Sequence, residues 1–136
     1  MSNQAQIDVV QKIYAAFGTG DVEGMISLLD DSITFELPNL PGVPLDTLYT
    51  GKDGVRKFMA DRGPAIEYKS FSIDEIFSDR DHVLVLGQTS GVVLATGSSF
   101  GYRWVQVFSF TSDNLVLKFQ EFMDTHQLVN AFKAPK

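Results

Sequence analysis

Residues 82–124 read HVLVLGQTSGVVLATGSSFGYRWVQVFSFTSDNLVLKFQEFMD, and this stretch decides the fold. Val83, Val85, Gly87 and Thr89 alternate with Leu84, Leu86, Gln88 and Ser90. Tyr102, Trp104, Gln106 and Phe108 alternate with Arg103, Val105, Val107 and Ser109, and Phe119, Glu121 and Met123 with Gln120 and Phe122. A two-residue period is that of a β-strand, whose side chains point alternately to opposite faces. Thr96-Gly97-Ser98 and Thr111-Ser112-Asp113-Asn114 carry turn chemistry between the runs. Strands over 82–95, 100–110 and 115–124, joined by turns this short, predict an antiparallel meander. A further β-rich run, 68–77, precedes them.

Upstream the period changes. Ile7, Val10, Ile13, Tyr14 and Phe17 recur at spacings of three and four, one face of a helix that Ser2 or Asn3 can cap and Gly18 and Gly20 can end. Asp21 reads as the cap of a second, shorter helix with Val22, Met25, Ile26 and Leu29 as its apolar stripe. Ile33, Phe35 and Leu37 alternate with Thr34 and Glu36, a short strand, and Pro38, Pro41, Gly42 and Pro44 make the next segment a loop. A third helix over 53–62 carries Val55, Phe58 and Met59 and stops at Gly63-Pro64. A last short helix spans 125–132. Helices followed by a curved, mostly antiparallel sheet define an α+β architecture. Such a sheet, bent under helices that cross its concave face, encloses a cone whose mouth is a natural ligand site. One domain over 1–136 is expected.

Composition narrows the function classes. The chain is 44% hydrophobic and 21% charged, with eleven Phe, four Tyr and one Trp, enough aromatic mass for a packed core or a pocket wall. A net charge of -6 argues against nucleic acid, whose phosphates require clustered Lys and Arg. There is no cysteine, which excludes disulfide and thiolate chemistry. The first residues contain neither a basic segment nor an apolar run, and nowhere do about 18 apolar residues stand in a row, so a cytoplasmic protein without membrane contact is expected. His82 and His126 are the only histidines and lack metal-site spacing, so neither metal nor cofactor is expected.

Val9-Val10-Gln11-Lys12, Ala15-Ala16-Phe17, Gly20-Asp21 and Gly24-Met25 resemble the opening of SnoaL-like and ketosteroid-isomerase-like proteins of the NTF2-like superfamily. Asp30 to Phe35, Gly51 to Phe58, Trp104 to Phe110 and Phe119 to Thr125 continue the resemblance over nearly the whole chain. It implies the cone-shaped α+β fold, but not a reaction, because the fold hosts many chemistries. The steroid isomerases' helix tyrosine, general-base aspartate and oxyanion-side aspartate fall here on Ile13, Leu37 and Gln106. With no carboxylate base there is no proton acceptor for that mechanism. Relatives resembling limonene-epoxide hydrolase use an Asp-Arg-Asp set; its final acid aligns with Glu121, while its Arg and first Asp would lie around Gln88 to Gly91, where neither type occurs.

Glu121 is therefore the candidate catalytic residue. If Phe35 and Leu37 face inward, Glu121 does too, between Phe119 and Met123, and a carboxyl desolvated there has a raised pKa suited to acid–base work. The bland alternative is a solvated or ion-paired strand-edge glutamate. Tyr14, Leu37, Phe58, Met59, Thr89, Tyr102, Trp104, Gln106 and Met123 are the candidate substrate-binding residues. Asp124 lies where the resemblance places the acid of an aldol-type cyclase, yet Asp124-Thr125-His126-Gln127 also reads as a helix cap. Two functions remain open. One is a cofactor-independent cyclase, isomerase, dehydratase or hydrolase acting on a small lipophilic molecule. The other is a non-catalytic ligand-binding or assembly domain that kept the walls and lost the chemistry. Val105, Val107, Leu84, Leu86 and Phe122 face outward in this phase, and a homodimer through that face is expected.

Overall fold

In the computed structural model, residues 3–133 are described. The order is α1 (Gln4–Thr19), α2 (Val22–Ile26), β1 (Leu29–Glu36), β2 (Leu48–Thr50), α3 (Gly51–Arg62), β3 (Ile66–Asp79), β4 (His82–Val93), β5 (Ser98–Phe110), β6 (Val116–Met123) and α4 (Thr125–Phe132). The strands form one curved, unclosed sheet in the order β2-β1-β6-β5-β4-β3. Every pairing is antiparallel except β1 with β6. The predicted meander is β3 to β6. The helices pack on one face of the sheet, the α+β arrangement expected.

The topology dictates where the helices lie. β2 ends at one edge of the sheet and β3 begins at the other. The chain between them, α3, must cross the concave face. α1 lies against β3 and β4, α3 against β1 and β2, so the two helices close the cone from opposite sides. Register shifts in β3 between Tyr68 and Ser70 and between Ile73 and Glu75 mark bulges, which bend a strand and sharpen its twist.

The helix ends follow the sequence signals. Asn3 caps α1, its side chain accepting from Gln6 N at 3.1 Å; Ser2, the other candidate cap, lies outside the described residues. Gly20 ends α1 in the left-handed region at φ 75°, where glycine carries no Cβ penalty. Asp21 caps α2 by accepting from Gly24 N. Asp124 caps α4, accepting from His126 N at 3.1 Å, and is exposed. The helix-cap reading of Asp124 is thus the one the geometry favours. Asp124→Ala is expected to cost about 1 kcal/mol of stability, the usual worth of a cap, in a denaturant titration, and to leave ligand binding unchanged.

Three expectations need correction. Leu29 opens β1 and does not extend the stripe of α2, because the helix unwinds at Ser27. β2 was not predicted; three residues are too few to display a period. Leu37 falls just past β1, where Pro38 and the following loop end the alternation. No helix among the described residues is long and apolar enough to cross a membrane.

Inward residues of β4 and β5 explain how so aromatic a face fits against a sheet. Gly87 pairs with Trp104 and Gly91 with Phe100. A Cβ on Gly87 would overlap the Trp104 ring, and one on Gly91 would sit 2.8 Å from the Phe100 ring. The glycines of β4 leave the hollows into which the large rings of β5 lie. The resulting core includes Val10, Ile13, Ile33, Val83, Val85, Trp104, Phe108 and Phe119, all buried.

Candidate active site

Between α1, α3 and the concave sheet lies a cavity of about 200 Å³. An apolar cavity of about 150 Å³ is enough to hold benzene, so this one suits a small ring compound. Its wall is mostly aromatic. Phe71 stands 5.1 Å from Trp104 between ring centroids, and Tyr14 lies nearly parallel to Trp104 at 6.3 Å. Phe17, Phe35, Phe58, Tyr68, Tyr102, Phe108 and Phe119 complete it.

Of the residues singled out from the sequence, Glu121, Tyr14, Phe58, Met59, Thr89, Tyr102, Trp104 and Gln106 line this cavity. Leu37 and Met123 do not, and pack on the core instead. Leu37 has left the sheet, and Met123 is the last residue of β6, beyond the hollow. Thr89 is present but its hydroxyl is committed: Oγ1 donates to the Ser70 carbonyl at 2.6 Å.

The polar groups form a chain. The Tyr14 hydroxyl donates to Gln106 Oε1 at 2.5 Å, and Gln106 Nε2 donates to Glu121 Oε2 at 2.8 Å. Gln106 and Glu121 are cross-strand partners on β5 and β6, which sets their spacing. Tyr14 reaches them because the inward face of α1 is wide. Ile13 and Tyr14, one residue and about 100° apart, both line the cavity. The amide is therefore oriented from both ends, with its oxygen towards the phenol and its nitrogen towards the carboxylate. Glu121 keeps part of its surface on the cavity, while protein surrounds the carboxyl on its other sides. Loss of solvation pushes its pKa above the usual 4.5; Arg62 and the Gln106 hydrogen bond oppose that shift without cancelling it. Burial, reinforced by the Glu121 charge, raises the Tyr14 and Tyr102 phenols as well, so both stay protonated donors.

Arg62 was missed. It is a buried arginine at the end of α3, with its guanidinium 4.8 Å from the centre of the Phe58 ring and Nη1 donating to the Tyr68 hydroxyl over a long 3.4 Å. Burial weakens its charged form, but Tyr68, Glu121 and Tyr102 more than offset that, so it remains a cation. A signal was available. Val55, Phe58, Met59 and Arg62 stand at i, i+3, i+4 and i+7, so Arg62 belongs to the apolar stripe.

Among the described residues no three His, Cys, Asp or Glu side chains converge as a metal site would require. The chemistry on offer is a carboxyl of raised pKa, three phenols and a guanidinium inside an aromatic shell.

Comparison with known proteins agrees with this architecture. No curated protein matches the chain. The fold is shared with an NTF2-like protein of Burkholderia xenovorans, 25% identical over 98% of this chain and 99% of that one, with a TM-score of 0.85. An NTF2-like protein of unknown function from Burkholderia pseudomallei is 22% identical over 96% and 98%, at a TM-score of 0.86. TerC, co-crystallised with polyporic acid, is 19% identical over 93% and 97%, at 0.80. The model of the SnoaL-like domain matches residues 10–118, from the inward face of α1 into β6. With its helices, curved sheet and cavity in the order that match requires, the chain belongs to the SnoaL-like family of NTF2-like proteins.

Proposed function

We propose that this chain is a cofactor-independent enzyme that moves a proton within a small lipophilic molecule, as an isomerase, cyclase, dehydratase or hydrolase, with Glu121 as the acid–base residue. One observation carries the reading: the only carboxyl lining the aromatic cavity among the described residues has a raised pKa and is held by Gln106. A carboxyl whose pKa burial has raised takes a proton more readily than an ordinary carboxylate and can return it to the substrate. A rigid apolar wall positions the substrate and excludes competing water. Tyr14 orients Gln106, and through it Glu121. The test is deuterium exchange. Enolisable one- and two-ring ketones in deuterated buffer, followed by NMR, should exchange the proton beside the carbonyl faster with the native protein than with Glu121→Gln. Equal rates for both across the panel would leave the second reading, a binding domain without chemistry. That reading is favoured by Ile13, Leu37 and Gln106 standing where the steroid isomerases keep their reactive residues.

The outer sheet face supports a second copy as partner. Phe77, Leu84 and Val107 lie side by side across β3, β4 and β5, and Leu86, Val105 and Phe122 across β4, β5 and β6. Phe77 and Phe122 are about half exposed, at 49% and 53%. A contiguous apolar patch on a sheet is covered most simply by the same patch of another chain about a two-fold axis. Sedimentation equilibrium at micromolar concentration is expected to give a dimer for the native protein and a monomer for Val107→Glu and Phe122→Glu. A native monomer overturns the pairing.

A further inference from the structure

Two buried donors, on residues that line the cavity, have no acceptor among the described residues. Arg62 Nε and Trp104 Nε1 are buried and unpartnered among the described side chains, and both residues line the cavity. Such groups are scarce in folded proteins because each forfeits the hydrogen bond it made to water.

Arg62 is the more telling. Among the described residues no carboxylate lies within 4 Å of it. Its hydrogen-bond partner there is a neutral phenol at 3.4 Å, and its flat face rests on Phe58. A buried guanidinium is costly to the fold unless an anion meets it with good geometry. Glu121 is near enough to be felt but does not pair with it, since its carboxylate is engaged by Gln106. The planar fork of an arginine matches an oxyanion carried on a flat molecule. The stacked and tilted rings of Tyr14, Trp104 and Phe71 form the wall against which such a molecule would lie.

We infer that the ligand of this cavity is a flat, conjugated ring compound bearing an ionised oxygen, held by the guanidinium of Arg62. The inference deepens the acid–base reading by naming its substrate class, and it rests on that reading only for the identity of the site.

Calorimetry with two matched probes, 2-naphthoate and 2-naphthamide, tests this. The native protein is expected to bind the carboxylate about ten- to a hundredfold more tightly than the amide, the worth of one charge-assisted contact. Arg62→Gln should remove that gap. Arg62→Lys should keep only part of it, because a point charge lacks the fork. Should Arg62→Gln fail to fold, Glu121→Gln gives the second measurement: with a like charge removed, 2-naphthoate should bind more tightly and 2-naphthamide unchanged. Equal affinities for the two probes in native protein, or a gap that survives Arg62→Gln, or no gain in Glu121→Gln, overturn the inference while the deuterium-exchange result for Glu121 still stands or falls by itself. Failure of both probes to bind overturns it too, and if exchange is also absent the cavity is not the site.

Discussion

Glu121→Gln is expected to lower turnover by about a hundred- to ten-thousand-fold, the usual contribution of a positioned acid or base, and to make the protein more stable at neutral pH. Both follow from one fact. The amide fills the same volume and can keep a hydrogen bond to Gln106, but it cannot exchange a proton. It also does not need to be charged where solvation is poor. Because burial raises the folded-state pKa of Glu121 above its unfolded value of 4.5, the folded state holds the proton more tightly than the unfolded one. The stability Glu121 contributes is therefore fully present below the unfolded pKa and is lost as pH rises through the raised one. Thermal melts across that range should show the native protein and Glu121→Gln closest in Tm at acid pH and furthest apart above neutrality, with the variant higher. A constant gap at all pH values would show that the carboxyl is not desolvated. In the native protein, the proposed activity with Glu121 as base should likewise switch on at a pH above the ordinary carboxylate range, and Tyr14→Phe should alter it by freeing Gln106 to turn.

Gly87→Ala is expected to be the most damaging single methyl in the sheet. Its Cβ would fall within the van der Waals envelope of Trp104 Cζ2 and Cη2 and only 2.5 Å from the Ser72 carbonyl oxygen. Overpacking of this kind costs about 1–3 kcal/mol or more, a fall in Tm on the order of 10 °C for a chain of this size. The indole is the movable party, so its displacement should also collapse the cavity and weaken naphthoate binding. Gly87→Ala combined with Trp104→Phe should recover part of the stability, since the smaller ring vacates the collision. It should not recover all of it, because the Ser72 backbone remains. Gly101→Ala on the neighbouring strand is the control: its nearest neighbours would be 3.8 Å and 3.9 Å away, ordinary contact. A Gly87→Ala protein as stable as the control would refute the account of how the aromatic face is seated.

Much of this molecule is written locally. The alternation in 82–124 sets the three strands and the face each residue shares, and once Phe35 is inward the same parity puts Trp104, Gln106 and Glu121 inside. The caps at Asn3, Asp21 and Asp124 are equally legible, since each needs only a side-chain oxygen within three residues of a free N–H. Leu37 and Met123 were misplaced by the same reasoning, because parity tells which face a residue shares and not how far along a strand the hollow extends. β2 is too short to carry a period at all.

What tertiary structure alone decided is which residues meet. The parallel contact of β1 with β6, and so the crossing of α3 over the concave face, depends on the order of strands in the sheet and not on any one segment's pattern. That crossing carries Arg62 into the aromatic hollow. The bond from Tyr14 to Gln106 spans 92 positions of sequence and exists only because α1, lying over the sheet against β3 and β4, brings the phenol within reach of β5. The fold is set by periodicities that each segment carries in itself. The site is set by where segments distant in the chain are brought together, because the charge and solvation of Glu121 and Arg62 depend on neighbours that no local pattern names.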